Sequence, residues 1–246
     1  MGQHFLRDDN IARKIAGSLT RFGGYKKVLE IGPGTGVLTK FLLGCHDYDW
    51  KGVELDRDSV AFLKKKYPEM AGNLFEDDFL KLSLSDISGG DQLAVIGNFP
   101  YNISSQIVFK VIENREIVPE MVGMFQKEMA QRIAAPHGNK TYGILSVLTQ
   151  AYYRVEYLFQ VDEHVFQPPP KVKSAVIRLT RKEELPCCNE KKLSMVVRAA
   201  FNQRRKTLRN SLKGLNVRWE GLPSDFPNRR PEQISVEDFF WLANHA

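Results

Sequence analysis

Val28-Leu29-Glu30-Ile31-Gly32-Pro33-Gly34-Thr35-Gly36 is an apolar run of strand length that passes into three alternating glycines and then into a helical pattern, Val37–Leu43. Glycine lets the backbone turn sharply and approach a ligand closely, and a helix N-terminus offers unpaired amide donors. The stretch predicts a strand, a loop and a helix that together bind a nucleotide-like molecule. A dinucleotide fingerprint would put its third glycine one place beyond Gly36, and its phosphate-facing turn would not accommodate Pro33. The spacing favours a ligand without a pyrophosphate. A purely structural tight turn also fits the glycines taken alone.

On either side the chain repeats this alternation of short apolar runs and amphipathic stretches. Strands are expected at Val28–Ile31, Gly52–Leu55, Asn73–Glu76, Leu93–Gly97 and Met121–Phe125. Helices are expected at Val37–Leu43, Ser59–Tyr67, Ser104–Asn114, Lys127–Ala134 and Ile144–Tyr152. Repeated βα units of this kind predict an α/β fold, a parallel sheet with helices on both faces. Two later β-rich stretches, Tyr157–Val161 and Ala175–Leu179, flank Gln167-Pro168-Pro169-Pro170, a stiff connector that gives the sheet a hairpin-like end. After Arg181 the periodicity becomes helical, at Leu193–Phe201, Arg205–Leu212 and Val236–Ala243, and the domain boundary is placed there, giving residues 1–181 and 182–246.

The carboxylates that follow the strands extend the ligand reading. Glu54, at the end of the second expected strand, can accept the hydroxyls of a ribose. Asp78, after the third, can accept from an adenine amino group while Phe79 or Leu80 covers the ring. Acidic residues at strand ends also cap helices, so Asp78 alone decides little. The ordered set of glycine loop, Glu54 and Asp78 points to an adenosine-containing cofactor.

The 246 residues are 43% hydrophobic and 26% charged, the balance of a soluble globular protein, with no apolar run of membrane-spanning length. The amino terminus does not read as a secretory signal, so a cytoplasmic location is expected. Cys45, Cys187 and Cys188 form neither a CxxC pair nor an even framework and read as reduced thiols. His46, His137, His164 and His245 have no partner at ligand spacing, so no metal is expected. The net charge is +6, yet Lys191 to Trp219 holds nine basic residues and no acidic one, which leaves the remainder at −3. A localised excess fits contact with a phosphate backbone; a solvated helix face is the alternative.

The fourth expected strand ends in Gly97-Asn98-Phe99-Pro100-Tyr101-Asn102-Ile103-Ser104. This element resembles the N-(L/F)-P-Y loop of adenine and cytosine N-methyltransferases. Four further stretches extend the resemblance over nearly the whole chain: Gly2-Gln3-His4-Phe5-Leu6, the glycine loop, Val165–Val176 with its prolines, and Phe201-Asn202-Gln203-Arg204-Arg205-Lys206-Thr207-Leu208. Together they resemble the ribosomal RNA adenine dimethyltransferase family that modifies small-subunit RNA. The resemblance implies a Rossmann-like class I methyltransferase sheet carrying the catalytic domain, and a small α-helical carboxy-terminal domain that binds RNA or the subunit. It implies S-adenosyl-L-methionine as cofactor and dimethylation of two adjacent adenines near the 3′ end of the RNA, within a partly assembled subunit, by a monomer.

Chemistry accounts for the loop. The N6 lone pair of adenine is delocalised and its protons are too weakly acidic for a side chain to remove first. Acceptors on the amino group favour the pyramidal nitrogen that attacks and stabilise its growing positive charge. Asn98, through its side-chain oxygen, and Pro100, through its carbonyl, are expected in that role, with Tyr101 stacked on the ring and Asn98 also lining the cofactor site. The resemblance implies Phe166 as the opposite wall, a core position beside the proline turn being the alternative, and cofactor contacts at His4, Leu6, Gly32 and Gly34. His4 stands where the family commonly has asparagine. Arg204, just before the expected helix Arg205–Leu212, and Arg205, Lys206 and Arg209 within it are the candidate RNA contacts. Three other readings compete: a large-subunit dimethyltransferase of the macrolide-resistance type, a dinucleotide-dependent oxidoreductase, which leaves Asn98–Tyr101 unexplained, and a non-catalytic ribosome-assembly factor on the same scaffold.

Overall fold

The computed structural model describes residues 4–70, 72–185 and 187–246; Gly2 and Gln3 of the amino-terminal motif lie outside the described residues. The strands are β1 (Phe5–Leu6), β2 (Lys27–Ile31), β3 (Asp49–Glu54), β4 (Leu74–Glu76), β5 (Leu93–Asn98), β6 (Glu120–Gln126), β7 (Tyr153–Val161), β8 (Phe166–Gln167) and β9 (Ser174–Arg181). The α-helices are α1 (Asp9–Ala16), α2 (Thr39–Leu43), α3 (Arg57–Lys66), α4 (Leu84–Ser88), α5 (Ser104–Glu113), α6 (Lys127–Ala134), α7 (Ile144–Tyr152), α8 (Glu190–Asn202), α9 (Leu208–Ser211) and α10 (Val236–His245).

Seven strands form one sheet in the order β4-β3-β2-β5-β6-β9-β7. The pairs from β4 through β6 are parallel and β9 runs antiparallel to β6. The order runs outward in both directions from the neighbours β2 and β5. Ligands of open α/β sheets bind where the order reverses, beyond the carboxyl ends of the strands. Val28, Ala94, Ile96, Val122 and Met124 share one buried cluster with Ala12 and Ile15 of α1, Leu42 of α2 and Val60 and Leu63 of α3. The alternate residues Leu29, Val95 and Met121 are fully buried as well. A strand whose successive side chains are both covered needs the continuous apolar sequence seen here.

The chain divides into two compact units, Met1–Ala130 with Val155–Arg181, and Gln131–Arg154 with Lys182–Ala246. The sequence pattern puts Gln131–Arg154 in the first domain. It falls with the second because α7 packs against α8 and α10, where Leu145, Leu148, Leu193, Val197 and Leu242 are buried and the Phe201 ring meets Tyr142 and Phe239. The helices α1 and α4 and the pairing of β1 with β8 are not among the expected elements. In α1, the Asp8 carboxylate caps the helix by accepting from the amides of Asn10 and Ile11. The expected helix Arg205–Leu212 is reduced to α9, since α8 ends at Asn202 and Thr207 is extended. Arg204, Arg205 and Lys206 therefore sit in a turn. Among the described residues no helix is long and apolar enough to cross a membrane, the cysteines are free thiols, and no cluster of His, Cys, Asp or Glu is placed to hold a metal ion.

Candidate active site

β2 delivers the glycine loop to the point where the strand order reverses. Gly32, Gly34 and Gly36 have φ of 66°, 56° and 78°, in the left-handed region that favours glycine. The Gly36 amide donates to the Pro33 carbonyl at 2.8 Å and closes the turn, and the Gly32 amide donates to Val53 at 2.9 Å. A Cβ on Gly34 would lie 3.0 Å from a ring carbon of Phe5, whereas one on Gly32 would meet nothing within 4 Å. The Phe5 ring thus covers the loop at Gly34, and Gly32 keeps an open face.

Glu54 ends β3 with 6% of its surface exposed. One carboxylate oxygen accepts from the Gly34 amide at 3.0 Å, and the other from the amides of Leu55 and Asp56, both at 3.0 Å. A carboxylate offers about four lone-pair sites. Three are occupied here, so Glu54 has room for about one hydroxyl beyond holding the loop, fewer than the two expected. Leu55 beside it is 64% exposed, an apolar surface that no sequence motif marks. Asp78 is half-buried and accepts from the Leu80 amide at 3.0 Å. Phe79 is buried against the Lys110 ammonium, so half-buried Leu80 is the residue of that pair left to cover a ring.

Glu30, a member of the glycine motif with no expected role, is 1% exposed. One of its oxygens accepts from Thr39 Oγ1 at 2.8 Å and Trp50 Nε1 at 2.9 Å, which ties β2 to α2 and β3. Burial pushes its carboxyl up to about 7, against the pull of those two donors.

The reacting loop is anchored by Phe99. Its ring is 1% exposed, packs edge-on against Phe125 at 5.1 Å, and lies where any side chain on Gly123 would have to go, 2.2 Å from an added Cβ. Asn98, half-buried at the end of β5, donates from Nδ2 to the His4 carbonyl at 3.1 Å. Among the described residues no donor reaches its Oδ1, the atom the expected role requires. Pro100 does not fit the role expected of it. Its carbonyl accepts from the Ile103 amide at 3.2 Å and from Ser104 Oγ at 2.9 Å, so both lone pairs are engaged at the start of α5. The Tyr101 hydroxyl is 2.8 Å from Ser174 Oγ, and burial pushes its pKa up. Its ring lies 5.7 Å from the His4 imidazole, tilted by 31°.

β1 and β8 pair antiparallel, Phe5 with Gln167 and Leu6 with Phe166. The pair carries His4 to the reacting loop, where its Nδ1 meets the Pro168 carbonyl at 2.8 Å. Leu6 and Phe166 are 5% and 2% exposed and belong to the core cluster. Phe166 thus takes the core position beside the proline turn, with its ring engaged in packing. Leu6 offers a ligand only its backbone.

In the second unit, Arg204 is half-buried and held. Its Nη2 donates to the Lys140 carbonyl, and its Nε lies 3.9 Å from Glu232. Arg205, Lys206 and Arg209 are exposed. The turn lines an open hollow of about 320 Å³ running from Phe201 to Lys206. A larger hollow of about 480 Å³, lined by Arg13, Ala16, Phe41 and Tyr48 among others, contains none of the candidate residues.

The strand order, with the glycine turn and the Asn98 loop at its reversal, is that of a class I methyltransferase. The crystal structure of a dimethyladenosine transferase from Plasmodium falciparum matches with a TM-score of 0.81 and 28% identity, over 97% of this chain and 96% of that one. That of the 23S rRNA methyltransferase ErmE matches with 0.70 and 25%, over 97% and 99%. The family model described as ribosomal RNA adenine dimethylase matches residues 1–240, and the chain belongs to that family. The ribosomal RNA small subunit methyltransferase A of Cytophaga hutchinsonii is 56% identical over 99% of this chain and 95% of its own length. That of Flavobacterium johnsoniae is 54% identical over 98% and 92%.

Proposed function

We propose that the chain transfers methyl groups from S-adenosyl-L-methionine to N6 of adenine in small-subunit ribosomal RNA, dimethylating two adjacent adenines near the 3′ end in a partly assembled subunit, in the cytoplasm and as a monomer. The observation that carries this reading is the state of Asn98: its Nδ2 is committed to the His4 carbonyl, and among the described residues no donor occupies its Oδ1. The identity of more than half to small-subunit enzymes over nearly the whole chain supports this target over the large-subunit one.

The residues present fit the cofactor. Gly32 gives an open backbone face, Glu54 one remaining acceptor for a ribose hydroxyl, Leu55 and Leu80 apolar surface, and Asp78 an acceptor for the adenine amino group. When bound, the cofactor supplies a methyl group already activated on a sulfonium. The protein's part is to present the target nitrogen in line with it. Asn98 Oδ1 accepts a hydrogen bond from the N6 amino group. The second acceptor is the Phe99 carbonyl, to which no described residue donates, because the Pro100 carbonyl is engaged. Two acceptors hold the amino group pyramidal and stabilise the charge it gains. Tyr101, held at its hydroxyl by Ser174, stacks on the extruded ring. Arg205, Lys206 and Arg209 contact phosphates.

The test is to incubate the protein with labelled S-adenosyl-L-methionine and unmodified small subunits and map the product. Dimethyladenosine at adjacent adenines near the 3′ end is expected. Label confined to large-subunit RNA, or no transfer to either, overturns the reading.

A further inference from the structure

We infer that Lys110 is a positioning residue for the cofactor: from α5 it fixes the turn that carries Asp78 and so governs how the site reads the adenine amino group. The inference rests on the proposed function and deepens it.

The Lys110 ammonium donates to the Phe79 carbonyl at 2.6 Å and to the Leu82 carbonyl, and lies 5.0 Å from the Phe79 ring centroid. Residues 78–82 follow β4 without strand or helix of their own. Their start is closed by the Lys81 and Leu82 amides, which donate to the Asp78 carbonyl at 2.9 and 3.2 Å, and Asp78 Oδ1 accepts from Leu80. Backbone carbonyls outside a ladder need donors. Lys110 supplies two, on the two residues that bracket Leu80 and Lys81. Burial pulls its pKa down, and the carboxylates of Asp78, Glu113 and Asp77 oppose that pull and favour the charged form. A lysine clamp on a surface turn would be merely structural if the turn bore no ligand groups. This one bears Asp78 and Leu80. The helix also has a second attachment, because Ser104 at its start holds the Pro100 carbonyl of the reacting loop. One rigid element, rising about 1.5 Å per residue, thus sets the spacing between the loop that holds the target adenine and the turn that reads the cofactor's.

The test compares binding of S-adenosylhomocysteine with that of its inosyl analogue, in which oxygen replaces the adenine amino group, by calorimetry on the full chain. The unaltered protein is expected to prefer the adenosyl compound at least tenfold, about the effect of one well-placed hydrogen bond to a charged group. Lys110→Met should lose about tenfold in adenosyl affinity and most of the preference, with KM for S-adenosyl-L-methionine rising by more than kcat falls. Lys110→Arg, which keeps donors for both carbonyls, should retain the preference within about threefold. A methionine variant that keeps the preference overturns the inference, as does an arginine variant that loses it as fully. An unaltered protein that binds neither compound overturns the proposed function itself.

Discussion

The mouth of the sheet and the basic turn after α8 both gather polar groups for a ligand, and they do it in opposite ways. At the mouth the side chains are already held by partners inside the protein and keep particular atoms for a ligand. Glu54 holds three amides, Asn98 holds the His4 carbonyl, and Tyr101 meets Ser174. In the turn Arg204 is held, and Arg205, Lys206 and Arg209 are exposed with no side-chain partner among the described residues. A site for chemistry gains from groups fixed before the ligand arrives, because no reorganisation is left for the reacting step. Binding to phosphates depends on charge and counterion release and tolerates loose side chains. Substitutions at the mouth should therefore change two properties at once, and substitutions in the turn one.

The largest expected effect is at Asn98. Asn98→Ala removes the acceptor and should lower kcat by about a hundred- to a thousandfold, with a much smaller change in S-adenosylhomocysteine affinity. It also frees the His4 carbonyl, so the melting temperature should fall slightly. Turnover within threefold of the unaltered protein would remove Asn98 from the reaction. Next is Glu30, whose folded pKa of about 7 lies above its ordinary 4.5. The folded state holds this proton where the unfolded chain has released it, so stability is greatest below the ordinary carboxylate range and declines as pH rises through about 7. The loss is at most about 3 kcal/mol. Denaturant unfolding at pH 5 and pH 8.5 measures it. Glu30→Gln keeps an oxygen for Thr39 and Trp50 and should flatten the slope; an unchanged slope assigns it to other groups.

Glu54 tests the double duty most directly. Glu54→Ala should weaken cofactor binding by about 1 to 3 kcal/mol, the range for hydrogen bonds to charged groups, and lower the melting temperature, because the Gly34, Leu55 and Asp56 amides lose their acceptor. Calorimetry and a melting curve on the same preparation read both. Weaker binding at an unchanged melting temperature would mean that the loop stands without its carboxylate, and the contrast with the basic turn would narrow.

The parts of this molecule that sequence reveals are those set by local pattern. The strands β2 to β6 are legible to within a few residues, and β5 and β6 most plainly, since a strand buried almost throughout leaves little but apolar sequence to be read. The glycine loop is legible for a related reason, because positive φ at Gly32 and Gly34 leaves glycine as the fitting residue, whereas the Asn98 loop is legible through its resemblance to a known element. What escapes depends on distant partners. β1 and β8 are two residues each, and the bond between His4 and Pro168 spans 164 positions. The Pro100 carbonyl looks free in the sequence because the Ser104 hydroxyl that occupies it reads equally as an ordinary helix start. Phe166 reads as an aromatic at a turn until its 2% exposure is seen. Asp8, four residues before Ala12, is a cap signal that the sequence does carry, although no apolar run of helix length follows it to draw the eye.

The basic turn gives the smallest effect and the sharpest separation of one duty from two. Arg204 and its neighbours have the same charge and adjoining positions, so sequence cannot distinguish them. The structure can: Arg204 bonds the Lys140 carbonyl, 64 residues away, and faces Glu232 at 3.9 Å, whereas among the described residues no side-chain hydrogen bond or ion pair is seen for Arg205, Lys206 or Arg209. Arg204→Ala should lower the melting temperature, because the Lys140 carbonyl loses its donor and the Glu232 carboxylate its nearest cation. It should leave the salt dependence of small-subunit binding almost unchanged. The triple variant Arg205→Ala, Lys206→Ala, Arg209→Ala should do the reverse. The slope of log affinity against log salt should become shallower by about 0.7 to 0.9 for each phosphate that is no longer neutralised, with melting within about a degree of the unaltered protein, since exposed charges contribute little to stability. Equal slopes for the triple variant and the unaltered protein would remove these three cations from the RNA-binding surface, and a shallower slope for Arg204→Ala would show that its internal partners release it when the subunit binds.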